Sequence, residues 1–314
     1  MAMAGAAEPA GFRHAALLYR SDAEYAQAVM DMTGADGADA SCAALVATGP
    51  RDGLVRDAAR VTASAVSFAD ITKLGRDPAR LIPAALAFAG QRPGRRACCV
   101  LEAGWPGRSL AELRELGRYE ALCNLALAGQ PVTLVCPYDC TQLPAEVLAS
   151  VELTHPVVIV AGQSRPGHGY PGPGRIPPGC DQPLPAPPPD AAEMTFTSDL
   201  SQVRAFTARH AEAARLPQPR AADLVIAVSE LAANTVQHSP GGGTVSAWHT
   251  PYEALVQVTD SGTITDPLTG YRQPPSDTAS GHGLWLVRQV CDLTELRTGP
   301  AGTTIRLHMS LGHR

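Results

Sequence analysis

The amino-acid sequence predicts an N-terminal α/β domain with a mostly parallel sheet, a linker, and a C-terminal domain of mixed helices and strands. Three observations predict this. In the N-terminal half, short apolar runs alternate with amphipathic stretches, as strands and their crossover helices do. Residues 166–189 then hold ten prolines and five glycines in 24 positions. The C-terminal half opens with a strand-like segment followed by two helical patterns.

Composition sets limits on function. The 314 residues are 45% hydrophobic, and 25 basic against 30 acidic side chains give a formal charge of −5. This charge argues against a broad polyanion-binding face, so we expect no direct nucleic-acid partner. The apolar runs fall short of the roughly 20 residues that span a bilayer, and the N-terminus lacks a signal-peptide pattern. We therefore expect no membrane partner and a cytoplasmic location.

The N-terminal domain is assigned to residues 1–165. Four short apolar runs predict its buried strands, at residues 14–19, 42–47, 97–101 and 132–136. The clearest helix covers residues 109–128, where Ser109 and Glu112 have the spacing of a capping box. Ligands of such sheets bind at the carboxyl ends of the strands. Because no G-x-x-x-x-G-K-[ST] motif is present, a conventional P-loop ATPase is excluded.

The eight cysteines are scattered along the chain and are predicted to be reduced, mostly buried thiols. One alternative is that Cys136 and Cys140 form half of a metal site. No second pair with zinc-like spacing accompanies them, so the sequence leaves that alternative without further support.

Polar residues follow the predicted strands of the N-terminal domain, and each alone is typical of a cap or a satisfied core group. Together they resemble the MEDS domain over roughly residues 12–162. The resemblance depends on the run 14–19, Glu102 with Trp105, the triplet 118–120, the segment 136–139, and His155 with Pro156. It implies a RecA-like sensory or docking module without a working phosphate loop, and it names no ligand; a small molecule or a nucleotide is the possible ligand.

Residues 166–190 are predicted to be a linker. They carry almost no large apolar side chains, so they would bury little surface, and their prolines favour extended, semi-rigid conformers. The C-terminal domain is therefore assigned to residues 191–314.

The C-terminal domain begins with a predicted strand at 194–197, an N-cap at Ser198 or Asp199, and helices to about 214 and over 222–238. In the second helix Glu230 and Asn234 are four residues apart and share one face. An acid and an amide placed so would hold a hydrated Mg²⁺, and the carboxylate would also accept a proton from an attacking hydroxyl. The alternative is an ordinary solvated helix face.

Two strands are predicted next, at 244–250 and 254–259, and the second ends at Asp260 and Gly262. A carboxylate there would accept a hydrogen bond from an exocyclic amine, and glycine would let the backbone approach a ring. The polar loop 264–280 is a predicted lid. It ends at Gly281 and Gly283, whose free N–H groups at a helix start would bind phosphate. A strand at 302–308 closes the domain.

This order of motifs resembles the Bergerat-fold ATPases of the GHKL superfamily, which implies an α+β two-layer sandwich. The segments 228–239 and 281–287 further resemble the small anti-sigma-factor kinases of Gram-positive bacteria, particularly the actinobacterial kind. By position, the resemblance makes Asn234 the Mg²⁺ ligand, Glu230 the general base and Asp260 the adenine reader beside Gly262. It assigns the phosphate-binding end of the lid to Gly281, His282, Gly283 and Leu284, and places Thr304 behind the adenine.

The sequence departs from this superfamily at one position. The family has a second glycine after Asp-x-Gly, whereas Thr263 and Ile264 follow Gly262 here. This departure leaves the closure of the lid, and with it affinity or turnover, in question. His238 matches a family position after the asparagine, although a helix-terminal cap is an equal interpretation.

Three functions are consistent with these resemblances. The first is an anti-sigma factor that binds ATP, Mg²⁺ and a sigma factor, and phosphorylates an anti-anti-sigma protein of the STAS type. The second is a nucleotide-dependent binding module without kinase activity. The third is a sensor in which the N-terminal domain binds a ligand and regulates the C-terminal domain, and it is compatible with either of the others. Family members also pair through this domain, which leaves a homodimer open.

Overall fold

The structure is a computed structural model that describes residues 11–33, 42–49, 53, 66–91, 94–275 and 281–312. The chain divides into two compact units, Met1–Cys180 and Asp181–Arg314. The boundary falls inside the segment predicted to be a linker.

The first unit contains a seven-stranded sheet with the order β3-β2-β4-β5-β1-β6-β7. All neighbouring strands are parallel except β7, which runs antiparallel to β6. The strands are β1 (Arg13–Tyr19), β2 (Cys42–Thr48), β3 (Val66–Asp70), β4 (Arg96–Leu101), β5 (Val132–Asp139), β6 (Val157–Val160) and β7 (Gln163–Pro166). The helices are α1 (Asp22–Thr33), α2 (Ile71–Leu74), α3 (Leu81–Gly90), α4 (Leu110–Ala126) and α5 (Ala145–Thr154).

The mostly parallel α/β sheet is confirmed, and all four predicted strands are present, as β1, β2, β4 and β5. The predicted capping box is also confirmed: the Ser109 hydroxyl accepts from the backbone N–H of Glu112, and the Glu112 carboxylate accepts from that of Ser109. This box fixes the start of α4, which presents Arg118, Tyr119 and Glu120 to the interior.

The second unit contains a five-stranded antiparallel sheet with the order β11-β12-β10-β9-β8. The strands are β8 (Ala192–Phe196), β9 (Gly243–His249), β10 (Glu253–Asp260), β11 (Leu293–Gly299) and β12 (Gly302–Ser310). The helices are α6 (Leu200–Ala213), α7 (Gln218–His238) and α8 (His282–Val290). The predicted apolar stripe of α7 is buried, including Leu224, Val228 and Leu231, and it packs with strand residues such as Val256 in one core.

Several elements were not predicted, namely β3, β6, β7 and β11. The strand β11 has the sequence Leu-Thr-Glu-Leu-Arg-Thr-Gly. Its charged residues Glu295 and Arg297 are buried, although charged residues in a sequence indicate an exposed segment, and the strand was therefore not predicted.

The proline-rich segment is hydrogen-bonded within both units. In the first unit, the N–H of Gly167 donates to Pro156 O at 3.0 Å, and that of Gly174 donates to Ala121 O at 3.2 Å. In the second, Arg297 donates to the carbonyl of Gln182 at 2.8 Å, and Arg306 donates to that of Pro185. The segment thus donates through glycine N–H groups in the first unit and accepts through its carbonyl groups in the second, and proline keeps a carbonyl acceptor although it lacks an N–H.

None of the seven cysteines whose side chains the structure describes forms a disulfide, and all but the half-buried Cys140 are buried. The side chain of Cys42 lies outside the described residues. Within the described part of the chain, none of the helices combines the length and apolar character that crossing a bilayer requires.

Candidate functional site

The second unit has a cavity of about 390 Å³ at the end of β10, bordered by α7, the loop after β10 and the start of α8. This volume lies within the range of small-molecule sites, about 300–1,000 Å³. The cavity wall combines apolar side chains, such as Leu231, Val258 and Ile305, with polar groups at one end.

Asp260 is the most strongly oriented polar group in the cavity. Its Oδ1 accepts from the Ser239 hydroxyl and from the backbone N–H of Gly262, and its Oδ2 accepts from the Thr235 hydroxyl, each at 2.7 Å. A carboxylate offers about four acceptor positions, so three are occupied and one remains for a ligand donor. The protein thus holds a carboxylate in a fixed orientation beside the cavity.

Gly262 fits closely beside this carboxylate. A β-carbon at this position would lie 2.4 Å from the Ser239 hydroxyl and 3.1 Å from Asp260 Oδ1. On its other side, the Thr303 hydroxyl donates to the Gly262 carbonyl at 2.8 Å. Only glycine lets the backbone pass here without displacing the groups that orient Asp260.

The predicted acid and amide of α7 lie next to the glycines of α8. A β-carbon at Gly283 would lie 3.0 Å from Glu230 Oε2 and 3.2 Å from Asn234 Nδ2. The i, i+4 spacing places both side chains on one helix face, and the bare backbone of Gly283 lets α8 approach that face. An acid, an amide and a helix N-terminus therefore converge beside the cavity.

The start of α8 is suited to an anion. Its N-cap, Gly281, has a positive φ of 91° and provides no side-chain capping hydrogen bond. The first backbone N–H groups of a helix have no partner within the helix and lie at the positive end of its dipole. A phosphate placed at this end of the cavity would accept from them.

The loop between β10 and α8 is described up to residue 275. Asp266 caps a turn by accepting from the N–H of Leu268 at 2.9 Å, and Leu268 and Tyr271 are buried. The Arg288 guanidinium lies 4.2 Å from the centre of the Tyr271 ring, which attaches the turn to α8. Residues 276–280 of the predicted lid lie outside the described residues.

The structure brings most of the predicted site residues together. The cavity is lined by Asn234, Asp260, Gly262, Gly281, Gly283 and Leu284. Glu230 lies against Gly283 but does not line the cavity. The predicted residues His282 and Thr304 do not line it either. The threonine that faces the cavity from β12 is Thr303, because alternate residues of a strand point to opposite faces.

Sequence reasoning did not single out Thr235, Ser239 or Thr303, the hydroxyl groups around Asp260. The sequence gives little indication of their role, because isolated serines and threonines are common at helix ends and in strands. His238 lines the cavity at the last position of α7, as the position after the asparagine suggested.

Family models match both units. Residues 13–156 match the MEDS model, described as the MEthanogen/methylotroph, DcmR Sensory domain, and residues 195–309 match the histidine kinase-like ATPase domain. The chain therefore carries a region that matches the MEDS model, followed by a region that matches the histidine kinase-like ATPase domain. The two resemblances drawn from the sequence are thereby confirmed. No curated protein matches the chain.

Two solved structures are among those similar to the chain. One contains the RsbU and RsbW domains of a Mycobacterium tuberculosis protein, with 21% identity over 39% of this chain and 32% of that one, and a TM-score of 0.30. This chain thus spans about a third of the length of that relative. The other is the Acinetobacter baumannii histidine kinase AdeS, with 12% identity over 40% of this chain and 68% of that one, and a TM-score of 0.25. At these TM-scores, the assignment depends on the family models alone.

The ATPase domain implies a nucleotide site, and the cavity residues fit one. The free acceptor position of Asp260 matches an exocyclic amine, the apolar wall matches a base, and the uncapped start of α8 matches a phosphate. A β-carbon at Gly283 would lie 3.2 Å from Asn234 Nδ2, so any side chain there would crowd the amide. The second unit therefore has a histidine kinase-like ATPase domain, which implies nucleotide binding.

Proposed function

We propose that the chain is an anti-sigma factor and serine/threonine protein kinase of a partner-switching system. It would bind ATP with Mg²⁺ and a sigma factor, and phosphorylate an anti-anti-sigma protein of the STAS type. The observation that carries this proposal is the convergence of Asp260, Asn234 and Gly283 on one cavity of a histidine kinase-like ATPase domain. The sequence resemblance to the anti-sigma-factor kinases supplies the partner class.

Each group has a separate task in this proposal. Asp260 selects adenine by accepting from its amine, while the hydroxyls of Thr235 and Ser239 keep the carboxylate oriented. Asn234 supplies an amide oxygen to Mg²⁺, and the N–H groups of α8 hold the phosphates. Magnesium ATP, when bound, supplies the phosphoryl group. Catalysis then needs mainly positioning and charge neutralisation from the protein.

Glu230 is proposed as the general base. Its carboxylate lies where the start of α8 meets α7, one helical turn before Asn234. From there it would take the proton of the serine or threonine hydroxyl that attacks the phosphate. Glu230 does not line the cavity itself, so the substrate hydroxyl would approach from the side of Gly283.

Transfer to a partner tests the proposal. The full chain is incubated with γ-labelled ATP, Mg²⁺ and purified anti-anti-sigma proteins of the STAS type. Label should move to a serine or threonine of one of them, and Glu230→Gln should reduce the rate by about a hundredfold or more. Glu212→Gln, an exposed glutamate on α6, is the matched control and should leave the rate unchanged. Undiminished transfer in Glu230→Gln would contradict the assigned base.

A second candidate is a nucleotide-dependent anti-sigma module without transfer, whose N-terminal domain senses a small molecule. The observation that favours it is Ile264, which stands where the family has glycine. Its N–H donates to Thr298 Oγ1 at 2.9 Å and its side chain packs on the core, so this part of the lid is fixed. ATP binding and sigma-factor binding without label transfer to any antagonist would select this candidate. Sedimentation of the same samples would test a homodimer.

A further inference from the structure

Four buried side chains of the MEDS domain converge in a cluster that the proposed kinase does not use. They are His14 from β1, Glu120 from α4, Cys136 from β5 and His155 at the end of α5. One donor atom from each lies within 4.8 Å of the other three. Their exposed fractions are at most 2%. Successive members of the cluster are 16 to 106 positions apart along the chain, so they do not have the short spacing of a zinc motif.

The distances between donor atoms are those of a tetrahedral metal site. Glu120 Oε2 lies 3.0 Å from His14 Nε2, 3.5 Å from His155 Nε2 and 3.3 Å from Cys136 Sγ, and Sγ lies 3.5 Å from His14 Nε2. Zinc bonds of about 2.0–2.3 Å in a tetrahedron place neighbouring donors about 3.3–3.7 Å apart. Three of these four distances lie in that range, the distance from Glu120 to His14 is shorter, and the remaining donor pairs lie within 4.8 Å.

Surrounding residues fix the tautomer of His14. The Asn124 amide nitrogen donates to the carbonyls of Glu120 and Thr154, at 3.1 and 2.8 Å, so its oxygen is the atom that faces His14 Nδ1 at 3.1 Å. An amide oxygen only accepts, and Nδ1 must therefore carry the proton. The Nε2 lone pair is left pointing at Glu120 and Cys136.

His155 is fixed in the same way. Its Nδ1 lies 3.0 Å from the carbonyl oxygen of Val151, which can only accept, so Nδ1 is again the protonated nitrogen. Its Nε2 is buried and has no hydrogen-bond partner. Glu120 is also held from outside, because the Tyr138 hydroxyl donates to Oε1 at 2.6 Å. Outer hydrogen bonds that orient each ligand in this way are a regular feature of metal sites.

Charge selects the class of ion. A thiolate and a carboxylate carry −2 together and two neutral imidazoles carry none, so a divalent cation makes the buried cluster neutral. Without an ion, the Nε2 lone pair of His14 would face a carboxylate oxygen at 3.0 Å unless the ring became an imidazolium.

We propose that His14, Glu120, Cys136 and His155 bind one Zn²⁺-class divalent cation inside the MEDS domain. The mixed nitrogen, sulfur and oxygen donor set suits zinc, and a closed tetrahedral site is typical of structural zinc. The ion would connect β1, α4, β5 and α5, and because the site is closed it would enter during folding. Cys140 belongs to no such cluster among the described residues, so the site is distinct from a Cys136–Cys140 pair.

The metal content of the purified full chain tests this directly. Refolding with Zn²⁺ should give about one zinc per chain, and refolding with Co²⁺ should give a sulfur-to-cobalt charge-transfer band together with strong tetrahedral visible bands. Cys136→Ser should lose the charge-transfer band and most of the metal. Cys140→Ser, a nearby half-buried cysteine outside the cluster, should keep both.

X-ray absorption on the wild-type protein keeps the test decisive if Cys136→Ser does not fold. One sulfur at about 2.3 Å and three nitrogen or oxygen donors at about 2.0 Å are expected. The proposal is overturned if wild-type protein refolded with excess Zn²⁺ or Co²⁺ retains none. It is equally overturned if the bound metal has no sulfur neighbour, or if a folded Cys136→Ser protein keeps its charge-transfer band.

Discussion

Gly283 lies so close to Glu230 that a β-carbon on the glycine would be 3.0 Å from the carboxylate oxygen. The same β-carbon would be 3.2 Å from the Asn234 amide nitrogen. The glycine thus sets how closely the start of α8 approaches the acid and the amide of α7. Several expectations depend on this contact and its neighbours.

Substituting Gly283 with alanine should weaken binding of magnesium ATP while the domain stays folded. The added methyl would force α8 away from α7, and overpacking of this kind costs about 1–3 kcal/mol. Isothermal titration calorimetry on the full chain measures the affinity. Gly299→Ala is the matched control, since a β-carbon there meets nothing within 4 Å. Equal losses in both variants would contradict the assigned role of Gly283.

Substituting Asp260 with asparagine should reduce the preference for ATP over GTP by about tenfold or more. The wild-type carboxylate accepts from an amine and repels the carbonyl that guanine presents, whereas an amide can also donate. Competition binding with the two nucleotides gives the ratio. Ser239→Ala removes one of three donors to Asp260 and should shift the ratio less. A ratio unchanged in Asp260→Asn would place adenine elsewhere.

Thr303 rather than Thr304 should support the nucleotide from β12. The Thr303 hydroxyl donates to the Gly262 carbonyl at 2.8 Å, and Thr303 lines the cavity. Thr303→Val should therefore weaken ATP binding several-fold, by about 1 kcal/mol for a lost hydrogen bond. Thr304→Val should leave the affinity within error. The reverse order of effects would restore the role that the sequence resemblance gave to Thr304.

The stability of the ATPase domain should fall as the solution becomes alkaline. His308 lies 3.0 Å from both Glu253 and Glu295. Burial lowers the pKa of His308, but the two carboxylates outweigh this effect and raise the pKa to about 9. A pKa raised above its unfolded value of 6.5 gives stability that is complete below pH 6.5 and lost as pH rises through about 9. The loss is about 3 kcal/mol.

Urea unfolding between pH 6 and pH 9.5 measures this loss. His308→Gln should be less stable at pH 6 and should lose most of the alkaline slope. His249→Gln, at an exposed histidine on strand β9 of the same sheet, is the control and should keep this slope. A wild-type protein with flat stability over this range would show that the ion pairs around His308 do not form.

Substituting Ser109 with alanine should destabilise the MEDS domain by about 1 kcal/mol, because α4 loses its capping box. The unfolding transition of that domain in urea reports the change. Ser150→Ala should have little effect, since its hydroxyl donates to a carbonyl within α5. A loss as large in Ser150→Ala would indicate that capping is not the cause.

Much of this architecture follows from local sequence. The apolar runs gave four strands of the first sheet, and the stripe of Leu224, Val228 and Leu231 gave the core face of α7. The convergence of Asn234, Asp260 and Gly283 was predicted from motif order, because the fold of a known superfamily fixes where such motifs meet. The strand β11 was missed because its charged residues are buried by tertiary contacts that local pattern does not reveal.

Two features lay beyond sequence reasoning for a different reason. Which of Thr303 and Thr304 faces the cavity depends on the register of β12, and one residue reverses the face. The cluster of His14, Glu120, Cys136 and His155 forms only when β1, α4, β5 and α5 are assembled. Its members have no short, zinc-like spacing along the chain, so their proximity is a property of the fold.

Calorimetric titration of magnesium ATP into the full chain tests the central claim most directly. The account predicts binding to one site per chain that weakens when Mg²⁺ is removed and is lost when Asn234→Ala and Asp260→Asn are combined. Wild-type protein without measurable affinity for magnesium ATP, or a double variant that binds as tightly as wild type, would contradict it.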